Sequence, residues 1–385
     1  MLNFSFSNST RIHFGEGQTQ IIAKEIPANA RVLLAYGGGS IKSNGIYDEV
    51  IAGLGERFVV EFSGIEPNPS YDTLIKAVPL IKEHQLDYIL AVGGGSVADG
   101  CKFISAAAFY EGDDPWDIIA KRAKITQALP IGVVLTLPAT GSESNAGSVV
   151  TRHGHKGAFS HPLLQPQFAV LDPKVTLSLS DRQVGNGVVD AFVHTMEQYL
   201  TYGVNGKVQD RFSEGLLLTL IEDGPKALAA ESKQDLEVRA NIMWSATLAL
   251  NGLIGAGVPQ DWTTHMIGHE LTAAHGIDHA RTLSIVLPAV MKVRREVKRE
   301  KLLQYAERVW QLKDGDDDSR IDRAIALTEA FFTTMGVPTR MSHVDLNSAH
   351  IDNLIANLTE HGMVKLGEQR AVTPEISRQI LETAL

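Results

Sequence analysis

Two strand-like runs in this chain end in the same four residues. Val32-Leu33-Leu34-Ala35-Tyr36 leads into Gly37-Gly38-Gly39-Ser40, and Tyr88-Ile89-Leu90-Ala91-Val92 leads into Gly93-Gly94-Gly95-Ser96. Continuous apolar runs without polar alternation belong in a sheet covered on both faces. Such a sheet is mainly parallel, and helices must carry the chain back between strands. The sequence supplies them: one helix to about Leu54, one from an N-cap at Ser70 to His84, and one to about Tyr110. Arg11–Phe14, with a helix to Ile26, Phe58–Phe62 and Ile131–Leu135 read as further strands. The polar stretch holding His153, His155 and His161 reads as a solvated hairpin. From about residue 181 helix follows helix, over 181–201, 207–230, 235–256, 260–274, 280–312 and 319–335, with shorter ones to the end. The expectation is an α/β domain over 1–180 and an all-helical domain over 181–385.

Ligands of open parallel sheets bind beyond the carboxyl ends of the strands. Glycine there lets the backbone approach a phosphate, and the following helix offers free N–H groups. One triple glycine is equally well a tight strand-to-helix turn. Two of them, with Thr140-Gly141-Ser142 after another strand, favour a dinucleotide cleft. Neither is the G-x-G-x-x-G fingerprint, so an ordinary Rossmann enzyme is not implied.

A second pattern lies in the helical half. Asp190 and His194 are four residues apart, as are His265 and His269, and a helix places each pair on one face. Most Asp-x-x-x-His pairs are surface polar pairs. This one is set among Val188, Val189, Ala191, Phe192 and Val193, and a buried carboxylate beside a buried imidazole needs a partner. Four of the thirteen histidines fall between 265 and 279. The segments are expected to converge on one divalent metal held by Asp190, His194, His265 and His279, a donor set that suits zinc or ferrous iron. His269-Glu270 followed by His275 is not the metalloprotease H-E-x-x-H, because the second histidine comes too late.

The totals exclude several function classes. A net charge of -10 argues against nucleic acid or an anionic membrane as partner. The single cysteine, Cys101, rules out an intramolecular disulfide framework, fits a reducing cytoplasm, and sits in an apolar run as a structural thiol. No signal peptide is expected from the first residues, and no apolar run reaches transmembrane length.

Gly93-Gly94-Gly95-Ser96-Val97-Ala98-Asp99, Thr140-Gly141-Ser142-Glu143, Asp190-x3-His194 and His265-x3-His269-x9-His279 together resemble the iron-containing (group III) alcohol dehydrogenases. The resemblance covers nearly the whole chain. Tyr36-Gly37-Gly38-Gly39-Ser40, Gly64 to Pro69 and Val258 to Trp262 are most similar to its branch of NADPH-dependent aldehyde reductases and butanol dehydrogenases. It implies a dehydroquinate-synthase-like fold: an α/β dinucleotide-binding domain, an all-helical domain, and a metal in the cleft between them. The family's ligands fall on Asp190, His194, His265 and His279. His269 falls near the substrate. Gly94, Gly95, Ser96 and Asp99 would meet the pyrophosphate and nicotinamide side, Thr136, Thr140 and Ser142 would line the same cleft, and Asn68 and Lys156 would lie near ribose and phosphates. Where the family often has Pro-His-Gly before the last ligand, this chain has Ile277-Asp278. A helical loop there would make His275 an added candidate. A homodimer is expected from the family alone.

The chemistry so implied is hydride transfer between a nicotinamide and a small aldehyde, with the metal as Lewis acid and His269 as proton relay or as support for a ligand. A glycerol-type polyol dehydrogenase and a dehydroquinate-synthase-type lyase share the architecture. A phosphorylated substrate would want cations near the metal, and 244–275 contains no Lys or Arg. NADP(H) is the expected cofactor. Enzymes that prefer NAD set a carboxylate against the adenosine ribose, whereas Gly37-Gly38-Gly39-Ser40-Ile41-Lys42 carries none before Asp48. An Asp installed at Gly38 should restore repulsion and move the preference toward NAD(H).

Overall fold

The computed structural model describes all 385 residues. They divide into two compact units: Ser7–Leu179, and Met1–Phe6 together with Ser180–Leu385.

The first unit is built on a six-stranded parallel sheet in the order β1-β8-β5-β4-β2-β3. Its strands are β1 (Arg11–Phe14), β2 (Arg31–Tyr36), β3 (Phe58–Phe62), β4 (Tyr88–Gly94), β5 (Ile131–Leu137) and β8 (Phe168–Leu171). Leu33, Leu34, Ala35, Ile89 to Val92 and Phe168 to Leu171 are fully buried, which is why these runs show no polar alternation. β2 and β4 are neighbours, with Tyr36 level with Val92. From β2 the chain runs to β3 on one side and then crosses to β4 on the other. The switch point of the topology therefore lies between the two strands that end in triple glycine, where the carboxyl ends open a crevice.

The six-strand sheet contains a strand the sequence does not announce. Phe168–Leu171 is four residues long, and its partners β1 and β5 are distant in sequence. A short apolar run has no period that separates strand from buried loop. Its place is kept by Gly132 in β5, where a Cβ would lie 2.4 Å from the Phe168 ring. Two expected helices are also broken. The one after β2 is interrupted between Ser43 and Ile46 by Gly45 at φ +87°, and the one capped by Ser70 is split between Leu74 and Ala77. The hairpin is β6 (Gly147–Arg152) against β7 (His155–Ser160), with His153 at its tip. It is less solvated than its histidines suggest: Val150 and Gly157 are buried, and Thr151 bridges to Ser70.

In the second unit the Asp181–Tyr199 helix starts at a capping box, in which the Ser180 hydroxyl and the Gln183 side chain exchange bonds with each other's backbone N–H. Every residue from Gly187 to Tyr199 is buried, so this is a central helix. Around it stand Lys207–Lys226, Leu236–Leu250, Thr263–His275 and His279–Val293. The expected helix over 280–312 is two, His279–Val293 and Arg299–Arg308. Gly185 lets a neighbouring segment touch the central helix, since a Cβ there would lie 2.2 Å from the Met335 carbonyl oxygen. The amino-terminal arm belongs to this unit and not to the sheet, with the Leu2 N–H donating to the Gly257 carbonyl at 2.9 Å.

The triple glycines are not equivalent. A Cβ on Gly95 would meet the Thr140 side chain at 2.2 to 2.9 Å, whereas one on Gly38 meets nothing within 4 Å. Gly95→Ala is therefore expected to destabilise by about 1–3 kcal/mol through forced displacement of the Thr140 loop. Gly38→Ala should leave the thermal midpoint within a degree or two. Equal midpoints for the two variants would contradict this packing.

Candidate metal and dinucleotide sites

The Asp181–Tyr199 helix carries Asp190 and His194 one turn apart on one face. His265 lies in the first turn of Thr263–His275, and His279 is the first residue of His279–Val293. Each of the four offers one ligand atom, and all four atoms lie within 4.8 Å of one another. His194 Nδ1 and His279 Nε2 both stand 3.7 Å from Asp190 Oδ1. The His194 and His265 rings are 4.5 Å apart between centroids, and the His265 and His279 rings 5.2 Å. Asp190, His194 and His265 are buried, and His279 is partly exposed. Burial lowers the His194 pKa to about 4, against the pull of Asp190, so its imidazole is neutral near pH 7. Its buried Nδ1 has no hydrogen-bond partner. Three imidazoles and one carboxylate at this spacing fit a divalent cation such as Zn2+ or Fe2+.

His269 lies one turn beyond His265 and is buried, with its ring 5.1 Å from that of His279, yet it is outside the four-donor set. His275 is removed from the site. Gly276, at φ +66°, ends the helix there, and the His275 ring packs 5.3 Å from His350. The loop before His279 is not helical, so His275 cannot share a face with it.

One residue of this site was not legible as functional. Glu197 follows His194 by three residues on the same buried helix. Its Oε1 accepts the Thr264 N–H at 2.6 Å, and its Oε2 accepts the His265 N–H at 3.2 Å and contacts His265 Nδ1. Trp262, the residue before that helix, is in the left-handed region at φ +63° and makes no side-chain cap. Glu197 therefore caps a helix distant in sequence. With Glu197 as a carboxylate, His265 Nδ1 is the donor to Oε2, and Nε2 is the nitrogen left free to serve a metal. Burial and the neighbouring Asp261 carboxylate push the Glu197 carboxyl well above the ordinary range, while the Thr264 and His265 N–H groups pull it back. Asp261 donates its own N–H to the Glu197 carbonyl, accepts the Thr263 N–H, and pairs at 2.7 Å with the buried Lys298 ammonium. The available signal was the extension of Asp190-x3-His194 by an acid at x2, which keeps the same face.

In the first unit the strand ends gather the other candidate residues. β4 runs through Gly93 and Gly94, and a helix starts at once with Gly95 and Ser96. Asp99, one turn on, accepts the Ser142 hydroxyl at 2.5 Å and the Val149 N–H at 3.0 Å. Burial pushes the Asp99 carboxyl up, opposed by the Lys102 ammonium. Lys102 is fully buried and donates to Ser142 Oγ, Asn145 Oδ1 and the Gly147 carbonyl. Burial brings it down to about 8. Lys102, also unassigned from sequence, thus fixes the loop that carries Ser142. Thr140 Oγ1 accepts the Ser142 N–H, and Thr136 sits at the end of β5. Asn68, at φ +55°, donates its N–H to Ser96 Oγ at 3.3 Å and accepts the Lys156 ammonium at 2.9 Å. Gly37, Gly38 and Gly39 form the turn after β2, with Gly39 at φ +94° as N-cap of the short helix begun by Ser40.

Comparison with known proteins adds three findings. The family model for iron-containing alcohol dehydrogenase matches residues 9–173, and the model for the carboxyl-terminal part of the Fe-containing alcohol dehydrogenase family matches 185–385. The chain is 58% identical over 388 residues to the NADPH-dependent aldehyde reductase YqhD of Escherichia coli K12, with 100% of each chain covered. It superposes on the crystal structure of E. coli YqhD with a TM-score of 0.98 (57% identity, 100% and 99% covered), and on the NADH-dependent butanol dehydrogenase A of Thermotoga maritima with 0.95 (34% identity, 100% and 99% covered).

Asp190→Ala should abolish stoichiometric binding of Zn2+ or Fe2+ while leaving the helical circular-dichroism signal intact, and His153→Ala should bind as the parent does. Full activity in metal-free Asp190→Ala protein would remove the site. Glu197→Gln should weaken metal affinity by about 10–100-fold in chelator competition. An unchanged affinity would mean that Glu197 serves only the helix cap.

Proposed function

Because the chain belongs to the iron-containing alcohol dehydrogenase family, we propose that it interconverts short-chain aldehydes and primary alcohols, using NADP(H) and one divalent ion, Fe2+ or Zn2+. The observation that carries this reading is the convergence of Asp190, His194, His265 and His279. When bound, the ion polarises the carbonyl oxygen and the nicotinamide carries the hydride.

The chain's own residues do the rest. Asp190 supplies the one formal negative charge among the four donors, and Glu197 holds the His265 tautomer. Asp99 and Ser142, braced by Lys102, present hydrogen-bonding groups to the nicotinamide side. Asn68, Ser96 and Lys156 form a linked polar set for ribose and phosphates, with Gly94 and Gly95 allowing close backbone approach. His269, buried beside His279, moves the proton between the substrate oxygen and solvent. Trp262 stands 5.2 Å from the His265 ring, and 244–275 is free of Lys and Arg. Those surroundings suit a weakly polar aldehyde and disfavour the polyol and phosphorylated substrates of other enzymes on this architecture. A homodimer and a cytoplasmic location complete the proposal. The single buried cysteine suits a reducing compartment, and no helix is long and apolar enough to cross a membrane.

NADPH oxidation with butanal, followed before and after chelation, tests the reading. Activity should vanish with the metal and return with Fe2+ or Zn2+. His269→Ala should keep its metal and lose rate by about 10²–10⁴-fold, with a loss that varies with pH. If that protein loses its metal instead, His269 is a ligand and the four-donor set is wrong.

A further inference from the structure

The turn after β2 has no acid in its own sequence, yet an acid stands beside it in space. Glu61 of β3 lies in register with Leu34 of β2. Its Oε2 accepts the Tyr36 hydroxyl at 2.5 Å and the Lys42 ammonium at 3.2 Å, and its Oε1 accepts the Tyr47 hydroxyl at 2.5 Å. The Lys42 ammonium also lies 4.6 Å from the centre of the Tyr47 ring and 5.3 Å from that of Tyr36. One carboxylate, one ammonium and two phenols make a closed cluster. Tyr36 is buried, whereas the Lys42 and Glu61 side chains are 48% and 38% exposed.

This cluster borders the Gly37–Ser40 turn. The Gly64 N–H donates to the Gly37 carbonyl and the Ile65 N–H to the Tyr36 carbonyl, which ties the chain leaving β3 to the turn. The Lys42 N–H donates to the Gly39 carbonyl. Hydrogen bonds from Tyr36 and Tyr47 hold the Glu61 carboxyl below its ordinary range, and Lys42 adds to this, so Glu61 carries its charge at neutral pH. A carboxylate at this end of a dinucleotide site is the group that repels a 2′-phosphate.

We propose that Glu61 and Lys42 together set the preference for NADP(H) over NAD(H), with Lys42 acting as the counter-ion that masks Glu61. Tyr36 and Tyr47 keep two donors on the carboxylate, so the ammonium can lean toward a phosphate without leaving Glu61 bare. The inference rests on the proposed use of NADP(H), with the adenosine ribose against the Gly37–Ser40 turn as expected from the sequence. It differs from a lone phosphate-binding lysine in one respect. If Lys42 only contacts phosphate, the effects of removing Lys42 and Glu61 are independent and multiply. If Lys42 masks the acid, Glu61→Gln changes the ratio more in the Lys42→Met background than in the parent.

The test is a double-mutant cycle on the full-length, metal-loaded protein. The ratio of kcat/KM for NADPH to that for NADH is measured with butanal, and the dissociation constants of both dinucleotides by their fluorescence. Lys42→Met should lower the ratio roughly fivefold, the upper size of one exposed charge interaction. Lys42→Arg, which keeps the charge, should retain it. Glu61→Gln alone should move the ratio by less than about twofold, because the acid is masked, and Lys42→Met combined with Glu61→Gln should return it to within about twofold of the parent. A double variant as poor as Lys42→Met, or an unchanged ratio in Lys42→Met, overturns the proposal. If the parent binds neither dinucleotide, the proposed function fails along with it, and binding alone distinguishes that result. Thermal midpoints of all variants check that these half-exposed substitutions leave the fold intact.

Discussion

A carboxylate and three imidazoles, all but His279 buried, with their ligand atoms within 4.8 Å of one another impose the constraint on which the helical unit depends. Burial drives charge out of such groups unless a cation compensates them, and the depressed His194 illustrates the effect. Neutral imidazoles and one carboxylate are the state in which these residues would hold a divalent ion. The same burial limits which side chains can surround them. Donors and acceptors behind the buried ligands are best matched inside the protein, because burial limits access to solvent.

That requirement explains the layer behind the ligands. The Thr263–His275 helix needs acceptors for its first N–H groups, and His265 needs a fixed tautomer. One buried carboxylate, Glu197, meets both needs from the facing helix. Asp261 joins it through the backbone and is in turn neutralised by Lys298, which also reaches the Leu200 carbonyl and Glu368. The start of the ligand-bearing helix is therefore clamped at several points. Trp262 at positive φ shows that the backbone there is held against its own preference, as happens where the surroundings over-determine a conformation.

The α/β unit solves a similar problem with a cation. Lys102 replaces water for Ser142, Asn145 and the Gly147 carbonyl, and Ser142 passes a hydrogen bond on to Asp99. Polar groups at the carboxyl ends of β4 and β5 are thus oriented by the protein's own hydrogen bonds, which reduces the ordering cost of binding. At the neighbouring end of β2 and β3 the groups are half exposed, and their charge matters more than their rigidity.

Local pattern decided much of this protein. Apolar runs without alternation dictate a buried parallel sheet, glycine after a strand dictates a close approach, and a four-residue spacing puts Asp190 and His194 on one face, because each depends only on the period of its own element. Relations between elements were beyond its reach. Phe168–Leu171 became a strand because β1 and β5 flank it. His275 left the site because a left-handed Gly276 turns the chain. Glu197 meets His265 across 68 residues, and Glu61 meets Lys42 from an adjacent strand, so the absence of an acid before Asp48 does not describe the charge around that turn. Spacing along a chain fixes which residues share a face, but only packing sets two faces against each other, and the partner of a buried or clustered charge is chosen by that packing.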